Sequence, residues 1–376
     1  MLNALLSFDN FPTPTSVLLI FFFVLIFRFL RILSWNEEPV VIVGNWKLSS
    51  SKNESTNFLN DVLDKCTILR EKYVPTLIWG RNGHLQTAVY GILGHAALKR
   101  NYDHRYHVKL DTDPNTTITF DVFEPIRQHD NKEDFTLILV PGIANSSESN
   151  YIRTCVHYAQ EHGYRCAVLN HLGALKDVRL TSNNIFSYGG TNEIHTMFRQ
   201  LCSIYPSTRY LAVGFSMGAN IITRFLSEIN DSQFRDRILL GMSVCQGYCV
   251  KRALITNLQR IWSCTSILAL DEHYSRRVRG FPSVQHYYES SSCLQRIPDI
   301  ATPIVFVNTL DDPLVPEPLW RPVRDLCASG TTHHAFVLVK HGGHLGFLEG
   351  GALKPNSISW LDRFICQVAD AAILSA

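Results

Sequence analysis

Ser216 is the residue whose type and surroundings most favour nucleophilic chemistry. It stands in the run Gly-Phe-Ser-Met-Gly, residues 214–218, between an apolar stretch typical of a buried strand and a pattern typical of a helix. Glycines two residues before and after a serine let a strand turn sharply into a helix without Cβ clashes. The first turn of that helix would direct its positive end at an oxyanion. We therefore predict that Ser216 is a nucleophile; the alternative is an ordinary strand–helix turn capped by a serine.

A serine hydroxyl needs a base at neutral pH, and the C-terminal part of the chain offers two histidines. His341 and His344 lie on a glycine-rich loop after a predicted strand, and we favour His344 as the base. Asp311 and Asp312 follow the preceding predicted strand, and the turn proline beside them favours Asp312 as the carboxylate that orients the histidine. Chemistry alone leaves the other aspartate and the other histidine as alternatives.

Two backbone N–H groups are the predicted donors to the oxyanion. The first belongs to Met217, directly after the nucleophile, because a helix leaves its first N–H groups without intrahelical acceptors. The second is assigned to Ile143, in the loop after the strand that ends at Val140, where Gly142 lets the chain fold tightly. Loss of one such donor typically lowers a rate by about 10²–10³-fold.

A scaffold must hold these residues together, and from about residue 105 short apolar runs alternate with helical stretches. Several runs are apolar throughout, as expected when helices cover both faces of a mostly parallel sheet in an α/β domain. Strands are predicted at 117–123, 136–140, 165–170, 209–214, 239–245, 303–308 and 334–340. Helices are predicted near 151–162, 192–205, 216–229, 317–327 and 357–370.

Composition divides the chain into four parts. Residues 105–372 form the predicted catalytic domain, in which 247–300 interrupts the alternation and is interpreted as a lid region. Residues 35–104 are more polar and are interpreted as a linker and N-terminal extension. Residues 1–15 form an N-terminal tail, and residues 16–34 form a separate apolar segment.

The apolar segment 16–34 is predicted to be a transmembrane anchor. Val17 to Phe27 is apolar without interruption, and a helix from Ser16 to Leu33 would be about 27 Å long, close to the thickness of a bilayer core. A cleaved signal peptide is disfavoured because no basic region precedes the run and no small-residue cleavage site follows it. A buried core helix is disfavoured because every face is apolar.

The sequence leaves open which side of the plasma membrane or endoplasmic reticulum would hold the catalytic domain. Arg28 and Arg31 follow the apolar run, and the preference of basic residues for the cytosolic side favours a cytosolic body. Four Asn-x-Ser/Thr sequons would instead suit a luminal, glycosylated body. They begin at Asn53, Asn115, Asn145 and Asn230.

Composition also excludes some classes of function. The chain has 376 residues, 46% of them hydrophobic, and a net charge of +2 without a basic stripe, so no nucleic-acid partner is predicted. Its ten cysteines are scattered and lack the paired spacing of zinc sites, which favours buried free thiols. No cofactor and no metal are predicted, since the proposed acyl chemistry needs neither.

Six motifs together resemble the α/β-hydrolase-domain (ABHD) lipase subgroup and its microbial relatives. They are the segments 75–87, 141–145, 163–174, 243–248, 311–315 and 341–347, and the similarity runs from about Tyr73 to Asp370. The resemblance implies the α/β-hydrolase fold, with Ser216 as nucleophile, Asp312 as acid and His344 as base. It further implies a single-pass membrane protein, with its body outside the cytosol, that hydrolyses monoacylglycerols and other acyl esters. Membrane lipid and a lipid ester are then the expected partners.

Two features qualify that resemblance. Between Tyr248 and Phe281, in the lid region, the chain is shorter than members of the subgroup, which would alter substrate access or acyl-chain preference. His129 and Asp134 match an acyltransferase-type His-x4-Asp pattern, but their polar surroundings favour an ordinary solvated loop. The alternative functions are a phospholipase or acyltransferase on the same triad, and a receptor for a lipid or steroid ligand in which hydrolysis is incidental.

Overall fold

The computed structural model describes residues 14–44, 54–93, 101–248, 272, 276–278 and 280–376. The strands are β1 (Val40–Val43), β2 (His104–Leu110), β3 (Asp113–Phe123), β4 (Phe135–Val140), β5 (Arg165–Asn170), β6 (Arg209–Phe215), β7 (Ile238–Val244), β8 (Ile304–Thr309) and β9 (Ala335–Val339). The α-helices are α1 (Pro14–Leu30), α2 (Glu54–Lys65), α3 (Gly83–Leu93), α4 (Asn150–Glu161), α5 (Asn192–Ile204), α6 (Met217–Glu228), α7 (Ser232–Arg235), α8 (Arg276–Val278), α9 (Val284–Ser291), α10 (Glu317–Ala328) and α11 (Trp360–Ser375). Short 3-10 helices cover Thr67–Arg70 and Leu294–Asp299.

One nine-stranded sheet organises the described residues, in the order β1-β9-β8-β7-β6-β4-β5-β3-β2. Neighbours from β9 to β5 are parallel, whereas β1 joins β9, and β3 joins both β5 and β2, in antiparallel fashion. Parallel neighbours require crossover connections, which place helices on the sheet faces. The carboxyl ends of the central parallel strands meet along one edge, where open α/β sheets place their ligand sites.

Apolar side chains fill a layer on each face of the sheet. Helices α2, α4 and α11 contribute to one layer, and α5, α6 and α10 contribute to the other. Helix α11 starts at a capping box, in which the Ser359 hydroxyl accepts from the N–H of Asp362 and the Asp362 carboxylate accepts from the N–H of Ser359. This start fixes the helix so that Trp360 and Phe364, which stack on each other, enter the core.

The predicted α/β-hydrolase architecture is confirmed, and each of the seven predicted strands is present with modest shifts of its ends. Strands β1 and β2 were not predicted. Strand β2 mixes charged and apolar residues, and it pairs only with β3 at the sheet edge. Strand β1 lies in the segment that was interpreted as a linker, and its four residues pair with β9.

The N-terminal helix α1 has 17 residues, and its large apolar side chains from Leu18 to Phe29 are almost all exposed. Within the described ranges, none of the helices combines the length and the hydropathy that a bilayer-crossing segment requires. Much of the predicted lid, residues 249–271, 273–275 and 279, lies outside the described residues, as do the N-terminal tail up to residue 13 and the first sequon at Asn53.

Candidate active site

The turn between β6 and α6 holds Ser216 in a strained backbone conformation. Its φ is 52° and its ψ is −115°, a region that non-glycine residues occupy only when the surrounding fold imposes it. A Cβ at Gly214 would lie 2.3 Å from the carbonyl oxygen of Gly218, and a Cβ at Gly218 would lie 2.0 Å from that of Val140. The predicted role of the two glycines, to let the backbone pass closely, is therefore confirmed.

The hydroxyl of Ser216 faces an imidazole that reaches it from near the other end of the chain. Ser216 Oγ lies 2.9 Å from His344 Nε2, and His344 Nδ1 lies 2.8 Å from Asp312 Oδ2. With the His344 Nδ1–H donating to the carboxylate, Nε2 is left to accept the serine proton. The structure thus brings together the three residues that the sequence favoured for this arrangement.

The carboxylate of Asp312 is fully buried and held from both sides. Its Oδ1 accepts from the backbone N–H groups of Leu314 and Val315, at 2.8 and 2.9 Å, while Oδ2 faces His344. These two N–H groups fix the position of the carboxylate beside the His344 ring. Asp312 can therefore hold the histidine ring in one orientation and stabilise an imidazolium when one forms.

The loop that carries His344 is fixed by α3 and by β8. The backbone N–H of His344 donates to Thr87 Oγ1 at 2.8 Å, and Thr309 Oγ1 donates to the carbonyl of Gly343 at 2.8 Å. Gly343 has a φ of 57°, and a Cβ there would lie 2.4 Å from the carbonyl oxygen of Gly83. Glycine is required because the loop and the start of α3 approach so closely.

The two rejected candidates, Asp311 and His341, pair with each other beside the triad instead of reaching Ser216. His341 Nδ1 lies 3.4 Å from Asp311 Oδ2, and His341 Nε2 lies 3.0 Å from the hydroxyl of Ser34. Asp311 Oδ1 also accepts the N–H of Gly343 at 2.9 Å. Sequence reasoning missed Ser34, because it lies in the connection between α1 and β1 and belongs to no motif.

Three side-chain hydrogen bonds fix the backbone of the predicted oxyanion loop. Tyr151 Oη accepts from the N–H of Gly142 at 2.8 Å, and Asn145 Nδ2 donates to the carbonyl of Ile143 at 2.8 Å. His171 Nε2 lies 2.9 Å from the carbonyl oxygen of Pro141. Burial lowers the pKa of His171 to about 4, so this ring is neutral at pH 7 and donates from Nε2.

The loop approaches Ser216 closely enough to serve a reacting group. A Cβ at Gly142 would lie 3.5 Å from Ser216 Cβ. Because Tyr151 takes the N–H of Gly142, the N–H of Ile143 is the next donor available in this loop. Met217 is the first residue of α6, where an N–H has no acceptor within its own helix. Neither Tyr151 nor His171 carried a sequence signal for this role, apart from the position of His171 after a predicted strand.

The His-x4-Asp pattern lies away from this site. His129 Nδ1 bonds to Asn131, and Asp134 forms an ion pair with Arg165. Asp134 directly precedes β4, whose opposite end leads into the loop beside Ser216. The pattern lies in a loop, as predicted, but the prediction that this loop is solvated is wrong for His129, which is buried against the rings of Phe135 and Tyr164.

The side chains of Cys245, Asp312 and His344 offer potential ligand atoms within 4.8 Å of one another. Burial, with the nearby Asp312 carboxylate, raises the pKa of Cys245 well above its usual value, so the thiol stays protonated. Asp312 and His344 already face each other in the hydrogen-bonded chain to Ser216, which accounts for their proximity. Eight cysteines in the described ranges are free and buried, in agreement with the sequence prediction for them: Cys66, Cys155, Cys166, Cys202, Cys245, Cys293, Cys327 and Cys366.

Comparison with known proteins agrees with this geometry. Residues 136–248, which contain most of β4, the turn at Ser216 and β7, match the family model described as alpha/beta hydrolase fold. Human monoacylglycerol lipase ABHD2 is 38% identical over 82% of this chain and 82% of its own length. Abhydrolase domain-containing protein 2 of Drosophila melanogaster is 36% identical over 93% of this chain and 94% of its own length. Human phospholipase ABHD3 is 23% identical over 96% of this chain and 92% of its own length.

These similarities and the structure point to the same fold, a mostly parallel sheet with a serine at a strained strand–helix turn. The similarity to human monoacylglycerol lipase ABHD2 extends over 82% of the chain. The chain is an ester hydrolase of the α/β-hydrolase family, in the branch that includes the monoacylglycerol lipase ABHD2.

Proposed function

We propose that this protein hydrolyses acylglycerol esters at Ser216 and that monoacylglycerols are its main substrates. One observation carries the proposal: Ser216 Oγ, His344 Nε2 and Nδ1, and Asp312 Oδ2 form a chain with steps of 2.9 and 2.8 Å at a strained strand–helix turn. Strain of this kind persists where the fold requires it, commonly at reactive centres. The substrate class comes from the names of the ABHD2 relatives, which cover most of this chain.

The mechanism is acyl transfer in two steps. Ser216 Oγ attacks the ester carbonyl while His344 Nε2 takes the hydroxyl proton, and the charge develops on an oxygen facing the N–H groups of Met217 and Ile143. The bond from the carbonyl carbon to the glycerol oxygen then breaks, and glycerol leaves with the proton from His344. Water attacks the acyl-serine with His344 again accepting a proton, and the fatty acid departs as Ser216 regains its hydrogen.

We further propose that the protein works at a lipid surface, with α1 as its main membrane contact. The apolar side chains of α1 point outward on all sides, and Leu33 and Trp35, just after the helix, are more than four-fifths exposed. Leu77 and Ile78 are also exposed, and Arg81 ties their segment to this region by donating to the carbonyls of Leu77 and Ser34. Apolar surface of this extent is unusual on a protein surrounded by water. An anchor at the plasma membrane or endoplasmic reticulum accords with this surface and with substrates that partition into bilayers.

The experiment that tests the substrate class measures fatty acid released by the purified full chain from monooleoylglycerol in detergent micelles. We expect release to fall by at least about 10³-fold in Ser216→Ala and to stay near wild type in Ser227→Ala, a control on the adjacent helix. Parallel assays with lysophosphatidylcholine, and with glycerol as added acceptor, separate a phospholipase and an acyltransferase from a lipase. Equal release by Ser216→Ala and the wild type would contradict the proposal.

A further inference from the structure

A second serine–histidine–aspartate contact chain lies next to the triad. Ser34 Oγ lies 3.0 Å from His341 Nε2, and His341 Nδ1 lies 3.4 Å from Asp311 Oδ2. The side chains of His341 and Asp311 are only 3% and 2% exposed. Polar groups buried to this degree are costly unless each has a partner, so the chain of contacts is a specific structural feature.

This cluster contacts both segments that supply the triad. Asp311 is the neighbour of Asp312, and its Oδ1 accepts the N–H of Gly343, the residue directly before His344. His341 begins the same glycine-rich loop. The cluster therefore joins the backbone on either side of the hydrogen bond between Asp312 and His344.

The partner that completes the cluster comes from the N-terminal segment 31–37, more than 300 residues away in sequence. This segment is itself fixed to the body, because Arg81 donates to the carbonyl of Ser34 at 2.9 Å and to the side chain of Asn36 at 3.0 Å. Glu37 forms an ion pair with Lys340, the residue before His341. The end of α1 is held as well, since Asn82 donates to the carbonyl of Phe29 at 2.5 Å.

We infer that Ser34 is a positioning residue for the hydrolytic site, acting through His341 and Asp311 on the backbone that carries His344 and Asp312. The segment 31–37 thereby links the apolar helix α1 to the catalytic loop. Ser34 is not a second nucleophile, because it lies outside any strand–helix turn and in the connection between α1 and β1. The inference rests on the proposed function, since positioning has meaning only if His344 moves the serine proton.

A small displacement of the general base strongly lowers the rate of a reaction of this kind. A misplacement of about 1 Å can cost roughly 100-fold in rate, so a partial loosening of the loop should cost about tenfold. A loss of this type lowers kcat and leaves KM nearly unchanged, because ester binding does not use Ser34. A membrane-binding defect would behave differently, since it would spare the hydrolysis of a short ester dissolved in water.

The test is a double-mutant cycle on the full chain with a short, water-soluble ester as substrate. We expect Ser34→Ala and His341→Gln each to lower kcat by about tenfold, and the double variant to be no slower than His341→Gln alone. Ser34→Thr keeps the hydroxyl and should restore most of the rate. Ser329→Ala, which removes an exposed hydroxyl on the surface, is the matched control and should match the wild type.

Each outcome decides something specific. Wild-type kcat in Ser34→Ala, or a double variant slowed by the product of the two single effects, would overturn the inference while leaving the hydrolase intact. A wild-type protein that hydrolyses no ester would instead overturn the proposed function. Thermal unfolding identifies any variant that fails to fold, and if His341→Gln does so, the comparison of Ser34→Ala with Ser34→Thr decides the question alone.

Discussion

At the scale of single residues, the site consists of polar side chains that are linked to one another by short contacts. Ser216, His344 and Asp312 could be named from the sequence because a Gly-x-Ser-x-Gly run, a post-strand aspartate and a glycine-rich histidine loop each carry a local signal. The contact of Ser34 could not be named, because it arises only when segments 307 residues apart pack, and the contact of Tyr151 with Gly142 carries no motif of its own. The geometry favours Asp312 over the adjacent Asp311, since Asp312 faces His344 whereas Asp311 faces His341.

The two aspartates should therefore differ sharply in their effect on rate. Asp312→Asn keeps the shape of the site but removes the charge that orients and stabilises the His344 ring, so kcat should fall by about 10³–10⁴-fold. Asp311→Asn acts only on the loop backbone and should cost about tenfold. Steady-state kinetics on a soluble ester compares the two variants. A larger loss in Asp311→Asn than in Asp312→Asn would reverse the assignment.

His171 should make the folding free energy depend on pH. Its pKa is lowered by burial from 6.5 to about 4, so below pH 6.5 the unfolded chain takes up a proton that the folded chain refuses. The contribution of His171 to the free energy of unfolding is fully present above pH 6.5 and is lost as the pH falls towards 4. Between pH 7.5 and 4.5 the free energy of unfolding should fall by about 2–3 kcal/mol more in the wild type than in His171→Gln.

Urea unfolding at the two pH values measures this difference. Other titrating groups, such as Asp362, whose pKa burial raises to about 6, act on both proteins and cancel in the comparison. Equal pH dependence in the wild type and His171→Gln would show that this imidazole does not remain neutral in the fold.

At the scale of elements, the central strands were predictable and the edge strands were not. Strands β4 to β9 are buried and mostly apolar. This pattern can be recognised in the sequence without knowing which strands pair with which. Strand β2 alternates charged with apolar residues, and β1 is only four residues long; each becomes a strand because an existing sheet offers it an edge. Local pattern cannot reveal such pairing, since it depends on tertiary contact.

The strand–helix turn should tolerate little added volume. In Gly218→Ala the new methyl group would lie 2.0 Å from the carbonyl oxygen of Val140, so the turn must shift. We expect the free energy of unfolding to fall by about 1–3 kcal/mol and hydrolysis to be nearly lost, as chemical denaturation and ester assays would measure. Gly351→Ala meets no atom within 4 Å and serves as the control. An active, stable Gly218→Ala protein would contradict the close approach that defines the turn.

At the scale of the whole molecule, the exposed apolar side chains include those of α1, of Leu33 and Trp35 just after it, and of Leu77 and Ile78. We predict that the double variant Leu77→Asn/Ile78→Asn binds phosphatidylcholine vesicles roughly tenfold more weakly than the wild type, because two apolar side chains no longer enter the lipid. Both side chains are partly exposed, so hydrolysis of a soluble ester should be unchanged.

Vesicle co-sedimentation measures this binding, and Leu374→Asn is the matched control. Leu374 is 70% exposed near the end of α11, where its carbonyl accepts from Lys65 rather than from the region of α1. Unchanged vesicle binding in the double variant, or an equal loss in Leu374→Asn, would remove the segment 77–78 from the proposed lipid contact.

The central claim is that one hydroxyl is made reactive by one imidazole. The most direct measurement is intact-protein mass spectrometry after treatment of the full chain with a fluorophosphonate, followed by peptide mapping. We expect one adduct per chain, on Ser216, absent in Ser216→Ala and formed at least about 100-fold more slowly in His344→Ala. An adduct that forms at the wild-type rate in His344→Ala, or that maps to another serine, would contradict the account.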